Sequence, residues 1–367
     1  MSARKGAALA AAALALCAPV LVGCAGGKPT PDLTPHVIAA ADAEPVRPID
    51  GRDGYKMSEF SSELSDEEYR ARVDELYTAV VIDGKKPIFP AGDPVAAVYD
   101  AAIAMLDRYV LNEWHGTDDG AFKTVHTLHD LLAYDIAYDF ELYDRYSNGE
   151  DIGDDPAFHI DGVFINRLAV CDGLSRAMSF LCAIEGIGCE RVTGAYSGVA
   201  HAWNKVTIGG KRYNVDITAD AANYSVNAGK LEKQLSHGFF MLSDETMRTF
   251  RPRLHDYDAS ENVALEDYDY YAEKTVTVGG SVFSATVRDA AALNRIFEAI
   301  DKSGRAVGKI ELKLDFEEKI NVNDGDMYAT EIAEAYRKVK KADFSFTATS
   351  KPYFQYPNGV YLFMIYL

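Results

Sequence analysis

Basic side chains are scarce in this chain: 37 Lys and Arg stand against 56 Asp and Glu over 367 residues, a formal net charge of −19. An acidic surface of that kind repels phosphate backbones, which excludes nucleic acid as a partner. Long apolar runs are lacking as well. The longest, Ala7 to Val22, is too short to span a bilayer and is followed by polar sequence. Cysteine is limited to five positions, two of which, Cys17 and Cys24, fall in the first 24 residues. His126 and His129 sit three apart on one predicted helix face. No HExxH or comparable third-ligand pattern accompanies them, so they are assigned to capping or core packing and no metal is expected. Nothing in the chain calls for an organic cofactor.

What the N-terminus does hold is a short basic segment, MSARKG, ahead of the apolar run. That order reads as a secretory signal. The run ends in Leu21-Val22-Gly23-Cys24, which resembles a bacterial lipobox and implies a lipid on Cys24 as the mature N-terminus. The alternative is a soluble secreted protein cleaved nearby. The expected location is extracytoplasmic, with a lipid anchor in the cell membrane. Residues 24–54, rich in Pro, Gly, Ala and Asp and without periodicity, suit a flexible tether.

The stretch from Leu168 to Asp216 carries the chemistry. It contains LAVCDGLSRAMSFL, GVAHAWNKV and GGKRYNVDI, and so presents Cys171, His201 and Asp216 in that order. A thiol serves as a nucleophile only as its thiolate, which needs a helix N-terminus or an imidazolium beside it and a third group to orient the base. Leu174, Met178, Leu181 and Ile184 recur at helical spacing. The helix they predict puts Cys171 in its first turn, with Asp172 as a charge suited to the dipole.

Gly209-Gly210 reads as a two-residue hairpin loop in which Ile208 faces Lys211. That register sets Trp203 opposite Asp216 and His201 opposite Thr218. Ala202, Val206, Tyr213, Val215 and Ile217 then share the core face, and His201, Trp203, Asn214, Asp216 and Thr218 the other. Asp216 becomes the diagonal neighbour of His201, about 7–8 Å away between backbones, close enough for a side-chain hydrogen bond.

The segments AVCDG, GIGCERVTG, HAWNKV and YNVDIT resemble the bacterial transglutaminase-like superfamily, whose core is a papain-like cysteine-enzyme fold. KTVHTLHDLLAYDIAYD resembles that family's helix before the nucleophile, and HGFFMLSDETM its closing segment. The resemblance implies a Cys-His-Asp triad: Cys171 the nucleophile, His201 base and then acid, Asp216 the orienter, with Trp203 lining the substrate groove. The chain departs from the family at Ile217 and Ala219, where Pro and Trp are common, and at Leu174, where an aromatic is common.

The expected organisation is a signal at 1–23, the tether at 24–54, a helical extension at 55–115, a transglutaminase-like catalytic domain at 116–268 and a small α+β sandwich at 269–367. The fold class is α+β, the nucleophile helix packing on an antiparallel sheet. Within the extension, Ser65-Asp66-Glu67-Glu68 is a capping box opening a helix to about Tyr77, and Asp93-Pro94 opens a second. Thr117-Asp118-Asp119 starts the helix carrying the two histidines. Asp151, Asp154 and Asp155 form an acidic turn before Pro156, read as solvated or as a calcium loop. Asn321 to Asp326 only superficially resembles an EF-hand, and Asp326 is read as a helix cap.

Cys182 follows Cys171 by about 16 Å along the helix, too far for a disulfide. Cys182 and Cys189 either pair or stay buried thiols, and their apolar surroundings favour thiols. In the last domain two strands within Glu273–Thr286, joined by a Gly279-Gly280 turn, precede helix Arg288–Lys302, strand Lys309–Phe316, helix Met327–Ala342 and the strands Phe344–Ser350 and Val360–Leu367; Tyr353, Phe354 and Tyr356 read as a hairpin cluster.

The implied activity is thioester-mediated hydrolysis or acyl transfer on the amide bonds of a protein or peptide, cell-wall or envelope substrates included. The competing expectation is a surface-binding lipoprotein that keeps the scaffold without catalysis.

Overall fold

A short parallel pair, β1 (Gly54–Lys56) and β2 (Lys86–Ile88), brackets a capped helix. Ser65 Oγ accepts the Glu68 N–H at 3.2 Å while Glu68 Oε2 accepts the Ser65 N–H at 2.8 Å, and helix α1 (Asp66–Tyr77) follows. The computed structural model describes residues 47–249 apart from 62, 222, 228–229 and 235–236. Beyond these it describes 255–259, 262–265, 267, 278–279, 282–287, 290–303, 309–314, 334, 337, 354–355 and 361–366. Described residues up to 244, with 256–265, form one compact unit; 245–255 and those from 267 onward form a second. The lipobox with Cys24, the tether up to residue 46, Asn321 to Asp326, the predicted helix 327–342 apart from 334 and 337, which are helical, the strand 344–350, Tyr353 and Tyr356 lie outside the described residues.

In the first unit α1 runs into a wide turn, Thr78–Ile82, that buries Ala79 and Val80. Helix α2 (Ala96–Tyr109) buries Val98, Tyr99, Ala102, Met105 and Leu106, the three-and-four spacing of a one-sided helix. It begins two residues later than Asp93-Pro94 suggests, because the Asp93 carboxylate caps a preceding turn at the Val95 N–H (3.1 Å) and also holds Arg72. Helix α3 (Asp118–Asp135) starts where expected, Thr117 Oγ1 accepting the Gly120 N–H at 3.1 Å. Asp155 likewise caps the turn Pro156–Phe158, while Asp154 pairs with His159 and Arg70. Asp151 Oδ1 accepts the Gly153 N–H at 3.1 Å, so all three acidic-turn carboxylates have protein partners.

Gly120 is fixed by contact rather than by conformation: a Cβ there would lie 1.8 Å from the Trp114 carbonyl oxygen. Backbone must move to admit it, so Gly120→Ala is expected to cost about 1–3 kcal/mol by overpacking, despite alanine's better helix propensity. Urea unfolding of the variant checks this, and an unchanged midpoint would contradict it.

Helix α4 (Phe140–Ser147) follows the short strand β3 (Ala137–Tyr138), which pairs in parallel with β4 (Leu168–Ala169). Strand β4 leads directly into α5 (Cys171–Ile184), in which Ala177, Met178, Phe180, Leu181, Cys182 and Ile184 are fully buried. Each large side chain there contributes about 1.5–3 kcal/mol of transfer free energy. Helix α5 packs on an antiparallel sheet formed by β5 (Gly188–Tyr196), β6 (Val199–Ile208), β7 (Lys211–Val215) and β10 (Phe240–Leu242), with the short edge strand β11 (His255–Asp256), in the order β10-β7-β6-β5-β11.

Ile208 does face Lys211, and Gly209 and Gly210 have φ of 57° and 73°, the left-handed pair that a type I′ turn requires. Asn204 on the helix-facing side ties sheet to helix through Ser175 O (2.9 Å) and Ser179 Oγ (3.0 Å). Cys171, Cys182 and Cys189 are free thiols; Cys182 is buried as expected, whereas Cys189 is only half-buried. A hairpin, β8 (Asn223–Asn227) and β9 (Lys230–Gln234), lies between β7 and β10 and was not expected.

The second unit holds a sheet in the order β12-β13-β14-β16-β15, with β12 (Val278–Gly279), β13 (Val282–Val287), β14 (Lys309–Leu314), β15 (Phe354–Gln355) and β16 (Tyr361–Tyr366). Helix α7 (Ala290–Ser303) connects the parallel pair β13 and β14 and buries Ala292, Leu293, Ile296 and Phe297. The described chain is thus mixed helix and largely antiparallel sheet, the α+β class expected.

Candidate active site

Cys171 is the first residue of α5, half-buried, with Val170 as N-cap. The unpaired N–H groups of a helix's first turn point past such a residue. Asp172, beside it, is held by Arg176 (Nε to Oδ2, 3.3 Å) and by Arg191 from β5. Its charge is therefore balanced locally as well as by the dipole.

His201, on β6, has a side chain only 7% exposed and donates Nε2–H to Asp216 Oδ2 at 2.8 Å. The Cys171 thiol lies within reach of the ring and adds to the causes that favour its charged form; with Nε2 committed to the carboxylate, Nδ1 is the nitrogen left for sulfur. Cys171, His201 and Asp216 thus stand in one line, with the imidazole between the thiol and the carboxylate and hydrogen-bonded to the latter.

Asp216 arrives by a different local route from the one the hairpin implies. The ladder between β6 and β7 ends at Asn204 opposite Val215. Asp216 then leaves the strand to N-cap a single turn, α6 (Ile217–Asp220), its Oδ1 accepting the Ala219 N–H at 3.0 Å. Thr218 is helical and not opposite His201, and Asp216 does not pair with Trp203. An Asp side chain that can satisfy the next turn's amides competes with continued ladder pairing, and here it wins. The Asp216 N–H donates to Phe239 O at 3.0 Å, so the carboxylate, fully buried, is fixed at both oxygens and through its backbone.

Trp203 does not line a groove. It is 1% exposed, its Nε1 donates to Asn214 Oδ1 at 3.0 Å, and its ring stacks on His201 with centroids 5.9 Å apart and planes 21° apart. It supports the imidazole from within the core. Tyr196 covers His201 as well, at 5.2 Å between centroids.

Burial by itself would push the His201 pKa down. The Asp216 charge and hydrogen bond, with the Cys171 contact, outweigh it and raise the value to about 10. The imidazolium is therefore the resting form at neutral pH, the partner a thiolate needs.

Tyr138 is a site residue that sequence reasoning missed. The parallel pairing of β3 with β4 sets it beside the start of α5, close enough to Cys171 for that residue to bear on the ionisation of the phenol. Burial, with the Cys171 and Tyr143 charges, holds its pKa well above the ordinary tyrosine range, so the phenol keeps its proton. Only the pairing of two two-residue strands identifies it, and no periodicity in the chain announces that pairing.

Away from this line, His126 and Asp130 on α3 converge with His237, which precedes β10. Sequence reading gave the histidines of α3 no third partner.

No family model and no curated protein sequence matches this chain. Among solved structures, a crystal structure of a TGase is similar over 45% of this chain and 42% of that chain, at 18% identity and a TM-score of 0.31, so the similar region spans less than half the length of either protein.

Proposed function

We propose that the chain is an extracytoplasmic cysteine enzyme of the transglutaminase-like class, anchored through a lipid on Cys24, that breaks amide or peptide bonds by way of a thioester. The observation that carries the reading is the line from Cys171 through His201 to Asp216, at the N-terminus of a helix packed on an antiparallel sheet.

The steps follow from these groups. Cys171 Sγ, paired with the His201 imidazolium, attacks the carbonyl carbon of the substrate amide. The oxyanion that develops falls at the first turn of α5, where the main-chain amides and the protonated Tyr138 hydroxyl are donors. His201 gives its Nδ1 proton to the departing amine, the C–N bond breaks, and a thioester remains. The now neutral His201 takes a proton from the incoming acceptor as that attacks the thioester, which restores the imidazolium and releases Cys171. Water as acceptor makes the reaction hydrolysis; an amine makes it transamidation. Asp216 holds Nε2–H throughout, so Nδ1 always faces the sulfur.

The test is the rate at which iodoacetamide alkylates Cys171 between pH 5 and 9, followed residue by residue by mass spectrometry, with His201→Ala as the comparison. Alkylation that stays fast at about pH 6.5, and is slowed about tenfold or more in the variant, is expected of an activated thiolate. Identical profiles for the two proteins, rising as an ordinary thiol does near pH 8.5, would sink the reading.

A further inference from the structure

We propose that His126, Asp130 and His237 form a site for a divalent transition-metal ion of the zinc class. Helix α3 puts His126 and Asp130 four residues apart on one face, and the chain returning to β10 adds His237. One ligand atom from each lies within 4.8 Å of the others. The carboxylate presents a different oxygen to each imidazole: Asp130 Oδ1 is 2.8 Å from His237 Nε2, and Oδ2 is 3.7 Å from His126 Nε2. A tetrahedral ion with bonds of about 2.0–2.2 Å holds neighbouring ligand atoms roughly 3.3 Å apart, a spacing between those two. Small rotations of the side chains bring all three onto one ion.

The surroundings are those of a supported site. The His237 side chain is 1% exposed, Asp130 14% and His126 23%, so the donors are sheltered except on the His126 side, where water can supply a fourth ligand. Phe240 packs its ring against His126 and His237, at 5.5 and 5.7 Å between centroids. Behind the donors, His129 Nδ1 lies 2.9 Å from Asp130 Oδ1 and its Nε2 is 3.4 Å from Asp220 Oδ2. Such an outer partner fixes the orientation of a ligating carboxylate.

Charge favours the same occupant. Asp130 and Asp220 bring two carboxylates into a cluster whose nearest polar members are imidazoles, and a dication bound to neutral Nε2 atoms balances both. Two imidazoles with one carboxylate suit zinc-like ions and not calcium, which takes oxygen.

The ion would brace the catalytic segment without touching substrate. Asp220 ends the α6 turn that Asp216 caps, and its Oδ2 accepts the Phe239 N–H at 2.9 Å, while Phe239 O accepts the Asp216 N–H at 3.0 Å. Neighbours of the metal ligands thus hold the backbone that aims the triad acid. The site goes beyond the proposed activity and does not depend on it.

The test uses the purified protein, stripped with a chelator and titrated with Zn2+. Metal content by mass spectrometry and melting temperature are followed for the wild type, His126→Gln and, as a control histidine elsewhere, His115→Gln. His126 is chosen because its place at the solvent edge makes misfolding of the variant least expected, and circular dichroism of the stripped proteins checks that. Expected are about one Zn2+ per chain, a melting-temperature rise of about 5 °C at saturating metal, and roughly 100-fold weaker binding in His126→Gln with His115→Gln unchanged. A wild-type melting temperature indifferent to Zn2+, or equal Zn2+ affinity in the wild type and His126→Gln, would overturn the site and leave a hydrogen-bonded His-Asp cluster.

Discussion

Asp216→Asn is expected to slow acyl transfer by about 10³–10⁴-fold while leaving Cys171 in place. The two Asp216 oxygens have separate tasks: Oδ1 caps α6 at the Ala219 N–H and Oδ2 takes Nε2–H of His201. An asparagine that keeps the cap with its one carbonyl oxygen must turn its NH2 toward His201. Nε2 then becomes an acceptor and the imidazole proton moves to Nδ1, the tautomer that cannot serve as base toward the acceptor. The same change removes the charge that outweighs burial, so the His201 pKa falls from about 10 toward or below the ordinary 6.5. Titration of the imidazole by NMR reads this directly, and an unmoved pKa would contradict it.

A consequence for stability has a definite sign. A group whose pKa is raised on folding contributes stability that is fully present below its unfolded value and is lost as pH rises through the folded value. For His201 the window runs from about 6.5 to about 10. Wild-type unfolding free energy should therefore decline by a few kcal/mol across that range, relative to the Asp216→Asn protein, whose profile should be flatter. Parallel profiles would mean that the His-Asp pair does not charge as the geometry requires.

The parts of this site that could be read from the chain were those fixed by short-range rules. Leu174, Met178 and Leu181 repeat at helical spacing, so the helix and the position of Cys171 follow from local order. Gly209-Gly210 dictates its own turn, which carries the register back far enough to bring His201 and Asp216 together. Ser65 and Glu68 satisfy each other within four residues, and the helix start is correspondingly plain.

What stayed hidden depended on distant segments or on competition between two local solutions. Asp216 could extend a strand or cap a turn, and alternation alone does not say which. Trp203 alternates with His201 as an outward residue would, yet Asn214 and Tyr257 close over it. Tyr138 reaches Cys171 through a pairing of strands whose partners lie about thirty residues apart in the chain. His237 stands more than a hundred residues from His126, with a hairpin intervening, and no spacing rule relates them.

Behind Trp203 lies the interaction whose loss should damage the fold most: Asp244→Ala is expected to cost about 3–5 kcal/mol. Lys205, 3% exposed, extends from β6 to put Nζ 2.9 Å from Asp244 Oδ1 and 3.1 Å from the carbonyl of Asn262. The same carboxylate accepts the Tyr257 hydroxyl at 2.6 Å, Asn214 Nδ2 at 2.9 Å and the Ala264 N–H at 2.8 Å. Burial works against the charged form, but these donors outweigh it and hold the Asp244 pKa below the ordinary carboxylate range. Truncation to alanine removes every acceptor at once and leaves the Lys205 ammonium desolvated with the Asn262 carbonyl as its remaining hydrogen-bond acceptor. A buried charge stripped of its counter-ion costs far more than the pair is worth. Adding Lys205→Met to Asp244→Ala should therefore recover part of the loss, giving a coupling of about 1–3 kcal/mol by urea unfolding of both single variants and the double. Strict additivity would mean that the two charges do not stabilise one another. Damage should also pass to the triad, because Asn214, which hydrogen-bonds both Asp244 and the Trp203 indole, backs the ring stacked on His201. Alkylation of Cys171 in folded Asp244→Ala should slow even though no triad residue has changed. An unaltered rate would show that His201 holds its place through Asp216 alone.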